Sequence, residues 1–432
     1  MRLGLALGYW GRGPAADHLT LAREAERLGY DSVWTAESWG SDAFTPLTWI
    51  AARTSRIKLG TAVAQMAARS PTATAMHALT LDHLSGGRMM LGLGLSGPQV
   101  VEGWYGRPFP ASPLTATREY VDVVRQVLRR EGPVTLDGRF HALPYRGADG
   151  TGLGKPLKPI THPLRAGLPV LLGAEGPRNV AQTVRIADGW LPLYWSPTRP
   201  EVYEASLAGL LRETGGEGRP GPCRQTPDCP ATPCTLLHAR LRSRGRCPHC
   251  RTPHSPECIQ YEGPRAARRE HAPDAAGPAL RADDGSSTTG PSRFLVAPMA
   301  RVKVCDDVAE GLLPVKAMLG FYIGGMGPMQ GRTEHSIGGG GRATGGRNFH
   351  ADLMARMGYE EEAHRIQRLF LEGRREEAVL AVPDAFADEI SLVGPRRRIA
   401  ERLELWRKGP VTDLLALSPD PHTLRVLAEL NT

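Results

Sequence analysis

A carboxylate follows the second short apolar run of the chain. Glu37 ends the segment Val33–Glu37 (VWTAE), and Ser38 comes next. An acid at the carboxyl end of a buried strand can transfer protons, or it can form an ion pair within a loop. Glu37 is therefore the candidate catalytic acid or base, and a loop ion pair is the alternative interpretation.

A glycine-rich turn follows a later apolar run. Gly92, Gly94 and Gly97 have the spacing GxGxxG, which is found in dinucleotide-binding turns. The acidic residue expected about 20 positions further on, at a second strand end, is missing. The spacing is equally typical of a turn at the carboxyl-terminal rim of a barrel strand, where barrel enzymes place their active sites.

A possible anion site begins at Gly176. The tripeptide Gly176-Pro177-Arg178 follows the apolar run Val170–Leu172 and opens a predicted helix. Proline is favourable in the first turn, and the free N–H groups of that turn attract anions. Arg178 adds a guanidinium that can bind a phosphate, although an ordinary helix start is the alternative.

Cysteines are concentrated in one part of the chain. Cys247 and Cys250 form a CxxC pair, but no second pair supplies the four ligands of a structural zinc site. The basic runs 242–246 and 265–269 lie in the same part, without the interleaved aromatic residues that stack on bases. We expect no metal site and no nucleic-acid partner, with a zinc- or nucleic-acid-binding protein as the alternative class.

Regular alternation of short apolar runs and amphipathic stretches surrounds these motifs. Such alternation predicts βαβ units and a parallel sheet, and the number of units favours a (β/α)8 TIM barrel over an open sheet. The predicted strands are 3–7, 32–35, 57–63, 88–93, 169–172, 189–194, 294–304 and 411–417. The first predicted helix ends at Gly29, and two others start at Pro177 and Pro421. The remaining predicted helices are 45–54, 71–86, 116–131, 349–357, 359–373 and 395–407. Residues 132–168 are predicted to form a long loop over the top of the barrel.

Two segments interrupt this pattern. Residues 221–290 contain ten Pro, ten Arg and six Cys but few large apolar residues, so they cannot bury enough surface to offset the entropy of ordering. The sequence therefore predicts a first barrel part at 1–215, a disordered insertion at 216–292 and a second barrel part at 293–432. A Gly-rich loop at 328–346, also expected to be disordered, interrupts the second part.

Composition limits the partners and the compartment. The 432 residues include 41% hydrophobic and 23% charged residues, which excludes global disorder, and the net charge of +8 favours anionic ligands. We found no apolar run long enough for a membrane helix and no secretion signal. These features predict a cytoplasmic protein without a membrane partner.

Several longer segments together resemble the bacterial luciferase-like superfamily, and within it the actinobacterial oxidoreductases that use coenzyme F420. The similar segments are 21–63 (LAREAERLGY…GTAV), 70–106 (SPTATAMHAL…WYG), 152–158 (GLGKPLK), 176–190 (GPRNVAQTVRIADGW), 321–327 (FYIGGMG) and 348–395 (NFHADLMARM…LVGP). The resemblance covers nearly everything except 216–292 and 328–346. It implies a (β/α)8 barrel that binds a flavin or deazaflavin at the carboxyl ends of its strands, acts on a small-molecule substrate and often forms homo-oligomers.

The resemblance also implies positions for the cofactor. Glu37 and Ser38 would line the ring pocket. Gly60, Thr61, Ala62 and Val63 would form a bulge with a non-proline cis peptide at Ala62–Val63. By the same correspondence, Ser96 and Gly97 would lie beside the ring, and Gly176, Pro177 and Arg178 would hold the cofactor phosphate.

The chain departs from the sugar-phosphate dehydrogenases of the family at two positions. Those enzymes have a His and a Glu for proton transfer where Ser38 and Gly97 stand here. Their acid–base mechanism therefore does not carry over, and a sugar-phosphate substrate is disfavoured. The resemblance implies hydride transfer at C5 of the deazaflavin of coenzyme F420, and an FMN-dependent monooxygenase of the same fold is the alternative.

Overall fold

The structure is a computed structural model that describes residues 1–14, 17–165, 167–203, 206–207, 294–325 and 348–431. The insertion predicted at 216–292, the loop predicted at 328–346 and the cysteine cluster lie outside these residues. The strands are β1 Arg2–Ala6, β2 Ser32–Thr35, β3 Lys58–Thr61, β4 Ala64–Gln65, β5 Met89–Gly94, β6 Leu136–Asp137, β7 Ala142–Leu143, β8 Val170–Leu172, β9 Gly189–Trp190, β10 Leu295–Val296, β11 Met299–Val304, β12 Leu392–Gly394 and β13 Asp413–Leu417. The helices are α1 His18–Arg27, α2 Phe44–Ala51, α3 Pro71–Leu84, α4 Pro98–Gly103, α5 Pro113–Arg129, α6 Pro177–Ile186, α7 Val308–Gly325, α8 Phe349–Arg356, α9 Glu360–Leu371, α10 Arg375–Leu380, α11 Asp384–Glu389, α12 Arg396–Arg407 and α13 Pro421–Leu430.

Parallel pairing closes these strands into a barrel. On one side of β1, the strands pair in the order β2, β3, β5, β8 and β9. On the other side, β1 pairs with β13, which pairs with β11. β10 and β11 form one barrel strand interrupted at Ala297 and Pro298, because β10 pairs with β9 while β11 pairs with β13. The predicted (β/α)8 barrel is confirmed.

The interior of the barrel is filled by a buried cluster in which Trp34 is the largest side chain, with Met90, Leu171, Leu191 and Leu415 among its other members. Trp34 is 1% exposed, and its indole N–H donates to the Ser32 hydroxyl at 2.8 Å. A Cβ on Gly60 would lie 2.1 Å from the Trp34 ring, so only glycine fits beside it on the next strand. The barrel is therefore a packed core, and a ligand has to bind at its rim.

Helix boundaries follow the local signals in the sequence. The Ser70 hydroxyl caps α3 by accepting from Ala73 N–H, and Pro71 occupies the first turn. Gly86 and Gly87 have φ of 67° and 86°, a left-handed conformation that favours glycine and stops the helix. The predicted end of this helix is confirmed.

A helical cap covers part of the carboxyl-terminal mouth of the barrel. We use this name for α7–α11, residues 308–325 and 348–389. The first half of β11 pairs with β13, and its last three residues, Val302–Val304, pair with β12. β12 therefore lies at the carboxyl side of the barrel, and so do the helices between β11 and β12. Tyr9, which follows β1, has its hydroxyl 2.8 Å from that of Tyr322 on α7. The sequence patterns did not predict α7 or this placement.

The prediction for residues 132–168 was wrong. The segment joins the end of α5 to the start of β8, both at the amino-terminal side of the barrel. His83, near the end of α3, contacts the His162 carbonyl at 2.8 Å, and Arg165 forms an ion pair with Asp82 at 2.9 Å. These contacts place the later part of the segment below the barrel instead of over its top, because it links a helix end to a strand start.

Within the described residues, no helix is long and apolar enough to cross a membrane. In the same part of the chain, no group of three or more His, Cys, Asp and Glu side chains is arranged to hold a metal ion.

Candidate active site

Glu37 is fixed in a buried ion pair at the end of β2. Its side chain is 3% exposed, and the Arg69 guanidinium donates to both carboxylate oxygens, at 2.8 and 2.6 Å. Gln65 N–H also donates to Glu37 Oε2 at 2.7 Å. Charge-assisted, two-pronged pairs of this kind are strong and geometrically specific. The ion-pair alternative weighed from the sequence is thus the arrangement that the structure has.

The rim of β3 carries the predicted cis peptide. The Ala62–Val63 bond is cis, which confirms that prediction. Val63 is partly exposed, and Ala62 is buried. Thr61 is fully buried, and its hydroxyl donates to the Gly92 carbonyl at 2.7 Å. Its side chain therefore links two strands below the rim and does not face the mouth.

Small residues form a floor around Val63. A Cβ on Gly94 would lie 2.5 Å from the Val63 side chain, and one on Gly173 would lie 3.2 Å from it. Glycine on the two neighbouring strands therefore lets Val63 lie across their ends. Val63 and these two glycines meet at the ends of β3, β5 and β8.

Two predicted residues follow the end of β5. Ser96 has φ of 69°, and both it and Gly97 are partly exposed. Gly97 begins α4, because its carbonyl accepts from Val100 N–H at 3.1 Å and from Val101 N–H at 3.0 Å. Ser38 is also partly exposed, beside the buried Glu37.

The predicted anion site lies at the start of α6. Gly176 is the N-cap residue, Pro177 is in the first turn, and Arg178 is exposed without an ion pair to any described residue. A Cβ on Gly176 would lie 3.4 Å from the Phe349 ring of the cap. The Asn179 Oδ1 atom is buried and lacks a hydrogen-bond partner among the described residues.

A second group of polar side chains comes from the segments after β1, β8 and β9 and from the cap. We call it the mouth cluster: Tyr9, Glu175, Tyr194, Tyr322 and His350. Glu175 Oε1 accepts from Leu193 N–H at 3.0 Å. Burial raises the pKa of the Glu175 carboxyl to about 7, although the Leu193 N–H and the charge of Arg356 act in the opposite direction.

Comparison with known proteins assigns the chain to a family. The sequence profile described as luciferase-like monooxygenase matches residues 4–222. A Mycobacterium tuberculosis protein, provisionally named a coenzyme F420-dependent oxidoreductase, is 40% identical over 432 residues, covering 100% of this chain and 99% of its own. The chain belongs to the luciferase-like monooxygenase family.

More distant relatives of the luciferase-like family agree with the fold. An F420-dependent glucose-6-phosphate dehydrogenase of Kineococcus radiotolerans is 30% identical over 227 residues, 48% of this chain and 62% of its own. The structure of an F420-dependent tetrahydromethanopterin reductase from Methanopyrus kandleri covers 99% of this chain, with 98% of its own chain matched. Its TM-score is 0.64 at 18% sequence identity, which supports the same barrel fold.

Sequence reasoning missed several residues of this candidate site. Arg69 and Gln65 lie just beyond the predicted bulge, and Glu175 directly precedes the predicted anion site, so an inspection of flanking residues could have found them. Tyr322 and His350 had no such signal. They reach the mouth only because the cap folds over it.

Proposed function

We propose that the chain is an oxidoreductase that uses coenzyme F420 to transfer a hydride to or from a small organic substrate. The observation that carries the proposal is the 40% identity, along the whole chain, to the mycobacterial relative named for that cofactor. The cofactor would supply the redox chemistry by carrying the hydride at C5 of its deazaflavin ring.

The floor around Val63 is the place proposed for the ring. Val63, Ser96 and Gly97 would lie against it, with Ser38 at its edge. Gln65 Oε1 is buried two residues beyond Val63 and has no hydrogen-bond partner among the described residues. Buried polar atoms normally have partners, so this acceptor fits a ring that brings an N–H group.

Gly176, Pro177 and Arg178 are proposed to hold the phosphate of the cofactor tail. The N-terminus of α6 and the Arg178 guanidinium, which forms no ion pair with a described residue, provide an electropositive site. The net charge of +8 favours approach of an anionic cofactor.

Glu37 is assigned to holding the rim and not to proton transfer. Both of its oxygens already accept hydrogen bonds from Arg69, and one accepts a further bond from Gln65. With Ser38 and Gly97 at the two positions that differ from the sugar-phosphate dehydrogenases, a sugar-phosphate substrate stays disfavoured. The substrate itself, a cytoplasmic location and a homo-oligomeric state stay predictions.

The test is a binding titration of the purified full-length chain, followed by fluorescence, with F420 and separately with FMN. Tight F420 binding and weak FMN binding are expected. An FMN preference would support the flavin monooxygenase alternative, and failure to bind either would contradict the proposal.

Two variants locate the site in the same titration. Arg178→Gln should weaken F420 binding by about tenfold or more, since hydrogen bonds to charged groups contribute roughly 1.5–3 kcal/mol. Arg185→Gln, near the far end of the same helix, removes an equal charge away from the rim and should change the affinity little. Equal effects of the two variants would contradict the placement of the phosphate.

A further inference from the structure

The mouth cluster gathers side chains from opposite sides of the barrel. Tyr9 follows β1, and Glu175 follows β8, which is four barrel strands away in the pairing order. Tyr322, on the cap, meets Tyr9 through hydroxyls 2.8 Å apart. The cluster therefore joins residues that follow β1, β8 and β9 to the cap. Glu175 itself lies two residues beyond Gly173, where an added Cβ would lie 3.2 Å from the Val63 side chain.

Aromatic contacts fix the middle of the cluster. The His350 ring lies 5.0 Å from the Tyr322 ring and 5.6 Å from the Tyr194 ring, centroid to centroid, both edge to face. Tyr194 and Tyr322 are 6.5 Å apart at an interplanar angle of 84°. Asn348 anchors this arrangement, since its amide donates to the Ile323 carbonyl at 2.6 Å and its Oδ1 caps α8.

Two polar atoms of the cluster are left without partners. The Tyr194 hydroxyl and His350 Nδ1 are buried and make no hydrogen bond to any described residue. Tyr194 is 0% exposed, so its hydroxyl has no access to solvent. Unsatisfied buried groups cost free energy, and their persistence at the mouth is typical of a functional site.

Glu175 supplies the carboxyl group of the mouth cluster, and it is partly exposed. The charged and titratable groups facing it are Arg356 on α8, whose guanidinium donates to the Glu175 carbonyl at 3.4 Å, together with Tyr194, Tyr203 and Tyr322. The tyrosines are neutral near pH 7, and burial raises their pKa values further above the ordinary value of 10. Arg356 is the single cation in this set.

We propose that Glu175 is a catalytic acid and base that gives a proton to the oxygen of a ketone substrate, or takes one from the corresponding alcohol. The role of Glu175 rests on the hydride chemistry proposed above. As the carbonyl carbon gains the hydride, the C=O π pair moves to oxygen, which takes the Glu175 proton and leaves a carboxylate. In the reverse direction the carboxylate takes the hydroxyl proton.

The surroundings indicate the rest of the substrate. Trp10 is 36% exposed and Trp39 46% exposed beyond β1 and β2, and Phe321 and Phe349 of the cap are 38% and 50% exposed. Trp39 and Phe321 lie 6.0 Å apart, so aromatic faces connect the rim with the cap. A substrate with an apolar body and one oxygen fits this mouth. The burial that forms it also holds the pKa of Glu175 near 7, where a carboxyl can act in both directions.

The experiment compares the wild type with Glu175→Gln in the F420-loaded full-length enzyme. The probes are cyclohexanone and acetophenone for reduction, and their alcohols for oxidation. Wild-type kcat should decrease above neutral pH for the ketones and below it for the alcohols. Glu175→Gln should lower kcat by about a hundredfold or more and abolish both pH dependences, while F420 affinity changes by less than about threefold. Glu102→Gln, an exposed rim carboxyl, is the control and should retain the wild-type profile.

A second measurement tests the protonation of Glu175 without turnover. Infrared spectra of the cofactor-free chain should show a protonated carboxyl that titrates near neutral pH in the wild type and in Glu102→Gln but not in Glu175→Gln. Absence of that band would overturn the role of Glu175.

The outcomes separate this inference from the proposed function. Failure of the wild type to bind F420 contradicts the proposed function, whatever the infrared result. F420 binding without turnover of either ketone or alcohol overturns the substrate class. Turnover with an unchanged pH profile in Glu175→Gln overturns the catalytic assignment.

Discussion

The Arg69 guanidinium binds both carboxylate oxygens of Glu37, at 2.8 and 2.6 Å, where the chain leaves β2 and passes beyond β3. Glu37 N–H also donates to the Val63 carbonyl at 3.2 Å, and the Gln65 side chain donates to the Glu37 carbonyl at 3.0 Å. These bonds tie the two strand ends together beneath the proposed ring position. We therefore propose a positioning role for this acid, which looks catalytic in the sequence.

Glu37→Gln should lower both stability and cofactor affinity. Removing one partner of a buried ion pair lowers the free energy of unfolding by roughly 3–5 kcal/mol, because the other charge is left uncompensated. We expect a loss of about 3 kcal/mol in the free energy of unfolding, measured by chemical denaturation, and weaker F420 binding by fluorescence. Removing Arg69 in the same chain should add little, since the interaction is already lost.

The exposed pair Lys58–Asp31 is the control for this prediction. Its atoms are 3.0 Å apart, but the Lys58 side chain is 42% exposed. Asp31→Asn should therefore cost less than about 1 kcal/mol. A cost at Glu37 no larger than that at Asp31 would show that the buried pair does not hold the rim.

Glu175 should make stability decrease as pH rises. Its carboxyl has an ordinary pKa of 4.5, and burial raises the pKa to about 7 in the folded chain. Between these values the unfolded state ionises while the folded state keeps its proton, so the free energy of unfolding falls from about pH 4.5 to about pH 7. Glu175→Gln should remove this loss, up to roughly 3 kcal/mol above pH 7. Denaturation of both proteins across the range measures the difference, and parallel curves would refute it.

His350 should act in the opposite direction. Burial lowers its pKa from 6.5 to about 4, so the folded chain keeps a neutral ring while the unfolded chain takes up a proton. Stability therefore decreases as pH falls from about 6.5 to about 4. His350→Phe keeps an aromatic ring and cannot titrate, so its stability relative to the wild type should improve on acidification. A constant difference over that range would contradict the burial of a neutral histidine.

The hydroxyl contact between Tyr9 and Tyr322 should hold the cap on the rim. Tyr322→Phe removes the hydrogen bond but keeps the ring, and a net loss of about 1 kcal/mol is expected. Hydrogen exchange should become faster in α7 and α8 while the barrel strands keep their protection. Tyr30→Phe is the control, because the Tyr30 hydroxyl donates to the Leu424 carbonyl at 2.9 Å, between α1 and α13. If both variants affect the cap equally, the contact has no local role.

Gly94→Ala should displace Val63. The added Cβ would lie 2.5 Å from the Val63 side chain, so one of the two has to move. We expect about 1–3 kcal/mol lower stability and a clear loss of F420 affinity, measured in the same titration. Gly103→Ala is the matched control, because a Cβ on Gly103 would have no neighbouring atom within 4 Å. Unchanged F420 binding in Gly94→Ala would contradict the proposed ring position.

Much of the barrel could be predicted because its signals are local. The strand at 32–35 was predicted with its observed bounds. Pro71 and Pro421 marked the starts of two helices, and Gly86 marked the end of one, through their own backbone preferences. The predicted helix at 359–373 instead ends at Leu371, where Gly373 at φ 80° starts a new turn before α10. Such boundaries depend on one or two residues, so they shift easily.

The sequence by itself determined the alternation of strands and helices, the family resemblance and the positions of the rim residues, because each depends on residue types at fixed spacing along the chain. Tertiary structure decided what those residues do. Glu37 became half of an ion pair because folding brought Arg69 to it from 32 residues away. Glu175 acquired a raised pKa because folding buries most of its carboxyl group. Burial and long-range pairing depend on which segments meet, and local sequence patterns do not contain that information.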